Sequence, residues 1–178
     1  MPVRPVLAYP DPMLKSVSAA CAGVDDEVRE VARDLLETMR AHERCIGLSA
    51  PQIGVSRRVI AVDVTGHPKA TACHGTLVIV NPEIVAAEGS EIGREGCLSL
   101  PSITADVRRA VRIFLKGLTV MGEEVGAETS GFEARAIQHE VDHLDGILIL
   151  DRVASPATGR RACGLTALRP VPCLYSAG

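Results

Sequence analysis

Residues 131–145 carry apolar side chains at helical spacing with no breaker inside the run, and within it lies His139-Glu140-Val141-Asp142-His143. Phe132, Ala136, Ile137, Val141 and Leu144 make one broad apolar face. Ser130 stands where a cap belongs and Gly146 where a helix stops. A helix with such a face must be buried against other elements, so the fold has to be built in layers around it. His139 and His143, four residues apart, then share one side of the helix, one turn above the other. Two imidazoles in that geometry suit a single metal ion, with Glu140 beside it as a base for water. The competing reading is a solvated polar helix face; the apolar stripe argues for burial, and a dry site strengthens every charge interaction in it. The pair needs a third ligand. A thiolate is the natural candidate, and Cys97 stands upstream in Glu95-Gly96-Cys97-Leu98-Ser99.

The remaining composition narrows the class. A chain of 178 residues with 47% hydrophobic residues suits one domain with a sizeable core. We place that domain at 1–153, with 154–178 as a Pro- and Gly-containing tail. Tyr9, Phe114, Phe132 and Tyr175 are the only aromatic residues, so the core is aliphatic and base stacking on aromatics is disfavoured. A net charge of −3 gives no basic footprint for nucleic acid. No apolar run approaches the roughly 18 residues of a membrane span, and Met1-Pro2-Val3-Arg4-Pro5 does not open a secretory leader. Without a leader, the six cysteines are expected to be reduced thiols, most of them small apolar residues.

Along the chain, residues 1–24 read as extended and irregular. Asp25 or Asp26 caps a helix running to about Arg40, with Val28, Val31, Ala32, Leu35, Leu36 and Met39 on its apolar face. Residues 46–54 read as a loop of small residues. Strands are expected at Val59–Val64, at Leu77–Val80 (stopped by Asn81-Pro82), at Ile84–Ala87 and around Glu91–Ser99. Val107–Leu115 and Leu118–Val125 follow, with Lys116-Gly117 as the turn between them, and Ile147–Leu150 is a short last strand. Helix, several strands, then helix is an α+β order.

Gly47-Leu48-Ser49-Ala50-Pro51-Gln52, Glu95-Gly96-Cys97-Leu98-Ser99 and Gln138-His139-Glu140-Val141-Asp142-His143-Leu144-Asp145-Gly146 together resemble the three signature motifs of the peptide deformylases. The resemblance runs from about Pro10 to Arg152. It implies antiparallel sheets around a central helix carrying H-E-x-x-H. It also implies hydrolysis of the formyl group from the formyl-methionine that begins new polypeptides, releasing formate. Cys97, His139 and His143 would hold one divalent ion, natively Fe2+, with Zn2+, Ni2+ or Co2+ possible in purified protein. Glu140 would be the general base, with the Gln52 amide and the Leu98 backbone N–H as oxyanion donors. Gly47 would admit the substrate backbone, and Ile46, Phe132 and Ala136 would line the methionine pocket; ordinary core packing is the alternative for these three. Glu95 would pair with Arg109 in a structural role. The implied setting is cytoplasmic, with nascent chains at the ribosome as substrate, although the tail lacks the amphipathic helix that some bacterial members use for docking there.

Cys45 and Ser49 replace a Gly and an Ala of the usual first motif, and Ser102 and Thr104 also depart from the common pattern. A positive φ at Cys45 would cost roughly 1 kcal/mol or more, so the loop is expected to take a conformation that a non-Gly residue tolerates there. These changes leave open a specialised or inactive relative, for example one conferring inhibitor resistance. A zincin-type metallopeptidase shares H-E-x-x-H, but it usually takes a downstream His or Glu as third ligand. Only Asp145 and Asp151 follow closely here.

Overall fold

The structure is a computed structural model, and it describes residues 3–154. The tail expected from residue 154 lies, beyond Ala154, outside the described residues. Asp25 caps α1 (Asp26–Ala41) through its carboxylate, which accepts from Val28 N at 2.9 Å. The apolar stripe of α1 packs against β1 (Gly47–Ser49) and β2 (Val59–Val62). Every residue of β2 is buried, as a run of β-branched residues between two layers requires.

Five antiparallel strands make the larger sheet in the order β1, β2, β3 (Leu77–Glu88), β6 (Arg112–Leu118) and β7 (Glu124–Ser130). A separate hairpin pairs β4 (Glu91–Cys97) with β5 (Leu100–Arg109). The motif helix α2 (Gly131–Leu144) lies across the larger sheet, with Ala134, Ile137 and Leu144 among Ile60, Val62, Ile79, Ile113 and Leu115. Leu14 from a short 3-10 turn joins Leu100, Val107, Leu148 and Ile149 in a third cluster, which ties the amino-terminal segment to the hairpin. The expected α+β architecture, with antiparallel sheets around the motif helix, is present.

Several boundaries differ from the sequence reading. The 46–54 segment is a short strand followed by a 3-10 turn at Ala50–Ile53. Asn81-Pro82 does not end a strand: β3 continues to Glu88 through a register shift between Val80 and Glu83. A bulge tolerates proline's missing donor, and Asn81, at φ 50, bonds Cys21 N at 2.9 Å and Cys21 O at 2.8 Å. Lys116-Gly117 lies inside β6, and the turns fall at Ala110-Val111 and at 119–123. Gly117 is small because a Cβ there would meet Ile79 Cγ2 at 2.4 Å and the Val80 carbonyl at 2.9 Å. The expected last strand is instead a 3-10 turn at Ile149–Arg152, held where Leu148 N donates to the Asp151 carboxylate at 2.7 Å. Ser130 occupies the cap position of α2 without a side-chain cap bond.

Candidate metal centre

Burial of the apolar face of α2 turns the opposite side toward the β4–β5 hairpin. His139, Glu140 and His143 project there, and Cys97 ends β4 facing them. One ligand atom each from Cys97, His139 and His143 lie within 4.8 Å of one another, and among the described residues no other group of three or more His, Cys, Asp or Glu does so. Cys97 Sγ is 3.2 Å from His143 Nε2. His139 turns its Nδ1 to Glu95 Oε2 at 2.9 Å, so that nitrogen carries the proton and Nε2 faces the thiol and the second imidazole. Burial pushes His143 well below the ordinary imidazole range, which keeps a lone pair available. Burial opposes protonation of His139, but its bonds to Cys97 and Glu95 push it well above the ordinary imidazole range, so an ion bound there would displace its Nε2 proton. A thiolate and two imidazoles freed of that proton would suit a single transition-metal ion. The downstream carboxylates are engaged elsewhere, Asp145 with Arg58 at 2.6 Å and Asp151 with Lys15 at 2.7 Å, so neither supplies the third ligand of a zincin.

Glu95 is tied down more firmly than the sequence suggested. Arg109 donates from Nε and Nη2 to its two oxygens at 3.0 Å each, Arg135 Nη1 adds a bond at 2.9 Å, and His139 makes the fourth. Burial alone would raise the Glu95 carboxyl, but the bonds from His139 and Arg109 outweigh it and hold the pKa at about 2. The expected Arg109 pairing is therefore present, and the carboxylate also orients a candidate ligand. Nothing in local spacing signals that contact, because Glu95 and His139 lie 44 residues apart.

Glu140 is the reverse case. Its Oε2 is buried with no hydrogen-bond partner, and burial pushes its carboxyl up to about 7, near the optimum for a base at neutral pH. Space for it comes from Gly47, where a Cβ would stand 2.6 Å from Glu140 Oε1. The same lack of a side chain that would admit a substrate backbone also makes room for Glu140. The Gln52 amide is oriented without ambiguity. Ser49 N donates to Gln52 Oε1 at 2.9 Å and Ser49 Oγ does so at 2.8 Å, which leaves Nε2 toward Ser99 Oγ at 3.2 Å and Cys97 Sγ at 3.7 Å. The Ser49 departure thus adds a bond that fixes Gln52.

A cleft of about 980 Å³ opens over this centre. Every candidate site residue except His143 lines it: Ile46, Gly47, Gln52, Cys97, Leu98, Phe132, Ala136, His139 and Glu140. Cys45, Ser102 and Thr104 line it too. The positive φ falls on Arg44, not on Cys45. Burial first, and the Glu140 carboxylate second, push the Cys45 thiol up to about 12. It stays protonated, donates to the Gly47 carbonyl at 3.2 Å, and is a poor nucleophile.

The family model for polypeptide deformylase matches residues 3–158. The chain belongs to that family. The peptide deformylase of Thermomicrobium roseum is 44% identical over 161 residues, 90% of this chain and 91% of its own length. That of Alkalilimnicola ehrlichii is 44% identical over 151 residues, 85% of this chain and 82% of its own length. The fold agrees with solved deformylases as well. The crystal structure from Thermotoga maritima superposes with a TM-score of 0.79 at 33% identity, covering 87% of this chain and 100% of that one. A class I type b deformylase from Acinetobacter baumannii superposes at 0.80 and 35% identity, covering 86% and 100%. This deformylase is a metal-dependent hydrolase that removes the N-formyl group from nascent peptides. Its Cys97–His139–His143 cluster suits one metal ion. Among the described residues, no helix is long and apolar enough to cross a membrane.

Proposed function

We propose that Cys97, His139 and His143 hold the ion, natively Fe2+, and that Glu140, Gln52 and the Leu98 backbone N–H carry the reaction on formyl-methionyl nascent chains in the cytoplasm as they leave the ribosome. The observation that carries this reading is the buried, unpartnered Glu140 oxygen beside the three-ligand cluster. Held there by Cys97, His139 and His143, an ion would supply Lewis acidity, lowering the pKa of water toward about 7 and polarising the formyl group.

The protein's own groups do the rest. Glu140 takes a proton from the attacking water as its oxygen bonds to the formyl carbon. Charge then develops on the former carbonyl oxygen. The Gln52 Nε2–H and the Leu98 N–H donate to it, each worth roughly 3–4 kcal/mol of barrier. As the C–N bond breaks, Glu140 returns the proton to the leaving nitrogen, giving formate and a free α-amine. Glu95 keeps His139 in the tautomer that presents Nε2. Ile46, Phe132 and Ala136 form the apolar wall for the methionine side chain, and Gly47 keeps the floor of the cleft open beside Glu140. One deformylase from Acinetobacter baumannii has been solved with Met-Ala-Ser bound, which agrees with a peptide lying in this cleft.

The test is anaerobic purification, metal analysis, and parallel assay of formyl-Met-Ala-Ser and Met-Ala-Ser. Iron with formate release from the formyl peptide alone is expected, and Glu140→Ala should abolish turnover while retaining the metal. Higher activity with zinc would overturn the metal assignment, and cleavage of an internal peptide bond would overturn the reaction.

A further inference from the structure

Among the described residues, Arg44, Asn81 and Ser102 are the non-glycine residues with positive φ. Asn81 is accounted for by the β3 bulge. Arg44 (φ 61) and Ser102 (φ 65) both line the catalytic cleft, where a backbone conformation disfavoured for residues with side chains holds them at its mouth. A second wall of that mouth comes from the segment joining β2 to β3. Its base is fastened where the Asp63 carboxylate accepts from Thr65 N and Thr76 Oγ1. Its far end is clasped to the first turn of α2, because His74 donates from its backbone N to Glu133 Oε1 at 2.8 Å and contacts Oε2 through Nδ1 at 2.7 Å. Glu133 is 2% exposed, so this is a buried anchor. Between the two fastenings, His67 stacks on Phe132 with ring centroids 4.1 Å apart, and Lys69 Nζ lies 5.8 Å from the centre of the same ring.

The charges at this mouth do not cancel. Arg94 also lines it but is bonded to Asp106 at 3.1 Å. Asp63 keeps its charge at the base of this wall, held by the two threonines and close enough to Arg40 to be stabilised by it, and Glu95 and Glu140 are buried at the centre. Among the described residues no salt bridge joins Arg44 or Lys69 to a carboxylate. Both side chains are exposed, and both are placed by more than solvent: one by its backbone, the other by the ring beneath it.

We propose that Arg44 and Lys69 form a cationic mouth that selects formyl-methionyl peptides with acidic residues shortly after the methionine. With the formyl group at the ion and the methionine side chain against Phe132, the following residues leave the cleft past these two cations. Charge complementarity there favours acidic chains and disfavours basic ones, acting on encounter and binding, not on the chemical step. The inference rests on the proposed deformylation of peptides lying in this cleft.

The test compares kcat/KM of the metal-loaded full chain for formyl-Met peptides bearing two Glu or two Lys at the third and fourth positions. The ratio is taken within one protein, so it does not depend on the folded fraction. A preference of about fivefold for the acidic peptide is expected, carried by KM and shrinking in about 0.5 M salt. It should fall close to one in Arg44→Gln/Lys69→Gln and invert in Lys69→Glu. Equal rates in the parent protein, or a preference that survives the double substitution, would overturn the proposal. No formate from any formyl peptide would instead sink the functional reading, and the inference with it.

Discussion

The two sides of α2 treat buried polar groups in opposite ways. Away from the cleft, Asp142 accepts from Arg109 and also from Arg152 at 2.7 and 3.1 Å. Gln138 spends its amide on both backbone groups of Ala110, at 3.0 Å each. On the side that carries the metal ligands, Glu140 Oε2 and His143 Nδ1 are buried without partners. Burying an unpaired polar atom costs about 1–3 kcal/mol. The helix therefore gives up stability on its cleft face and recovers it through pairing on the other. Glu95 and Arg109 link the two faces: Arg109 bonds Asp142 on one side and Glu95 on the other, and Glu95 reaches His139. Reactive groups stand where the hydrogen bonding is incomplete, and the completed network beside them keeps them in place.

The largest effect expected from breaking this contrast comes from Glu140→Gln. Formate release should fall roughly 10²–10⁴-fold, because the base is lost. Bound metal should be retained, and the urea midpoint should stay level or rise, since a neutral amide is easier to bury than a carboxylate. A clear fall in the midpoint would show that Glu140 is paired after all. Arg109→Met attacks the satisfied side. It takes one cation from Asp142, which keeps Arg152, and one from Glu95, which keeps Arg135 and His139, so a stability loss of about 1.5–3 kcal/mol in urea unfolding is expected. A loss below about 1 kcal/mol would mean that the network contributes little.

The cleft face was more legible in the sequence than the face that supports it. His139, Glu140 and His143 lie within one helical turn and a half, so periodicity alone places them together, and Cys97 stood out by its neighbours. The partners of Glu95 could not be read that way. His139, Arg109 and Arg135 come from other elements, and only the docking of the β4–β5 hairpin on α2 assembles them. Two of the strand differences share one cause. Proline at 82 and glycine at 117 read as breakers in the sequence, whereas one sits in a bulge and the other permits close approach of β3. Both are tertiary reasons that local composition does not carry. Ser49 was visible only as a departure from a motif; its bond to Gln52 needs the 3-10 turn.

Gly47→Ala probes the border between the two regimes. The added methyl would press on the Glu140 carboxylate, where a Cβ stands 2.6 Å from Oε1. Displacing a base by about 1 Å can cost roughly 10²-fold. We expect a fall of that order in kcat for formyl-Met-Ala-Ser with little change in metal content. An unchanged kcat would show that Glu140 has room to shift without losing function.

The smallest effect is expected at Asp63, where pairing lies at the surface. The Thr76 hydroxyl bond, ahead of the opposing effect of burial, lowers its pKa below the ordinary carboxylate value. A carboxyl depressed on folding stabilises the protein above its unfolded pKa of about 3.9, and that contribution is lost as pH falls through the folded pKa. Asp63→Asn removes the charged acceptor. Its urea midpoint should lie slightly below the parent's near pH 7 and converge with it as pH falls below about 4. Parallel midpoints across that range would mean that Asp63 holds the β2–β3 segment no better charged than neutral. The paired and unpaired parts of the molecule would then differ only in the interior.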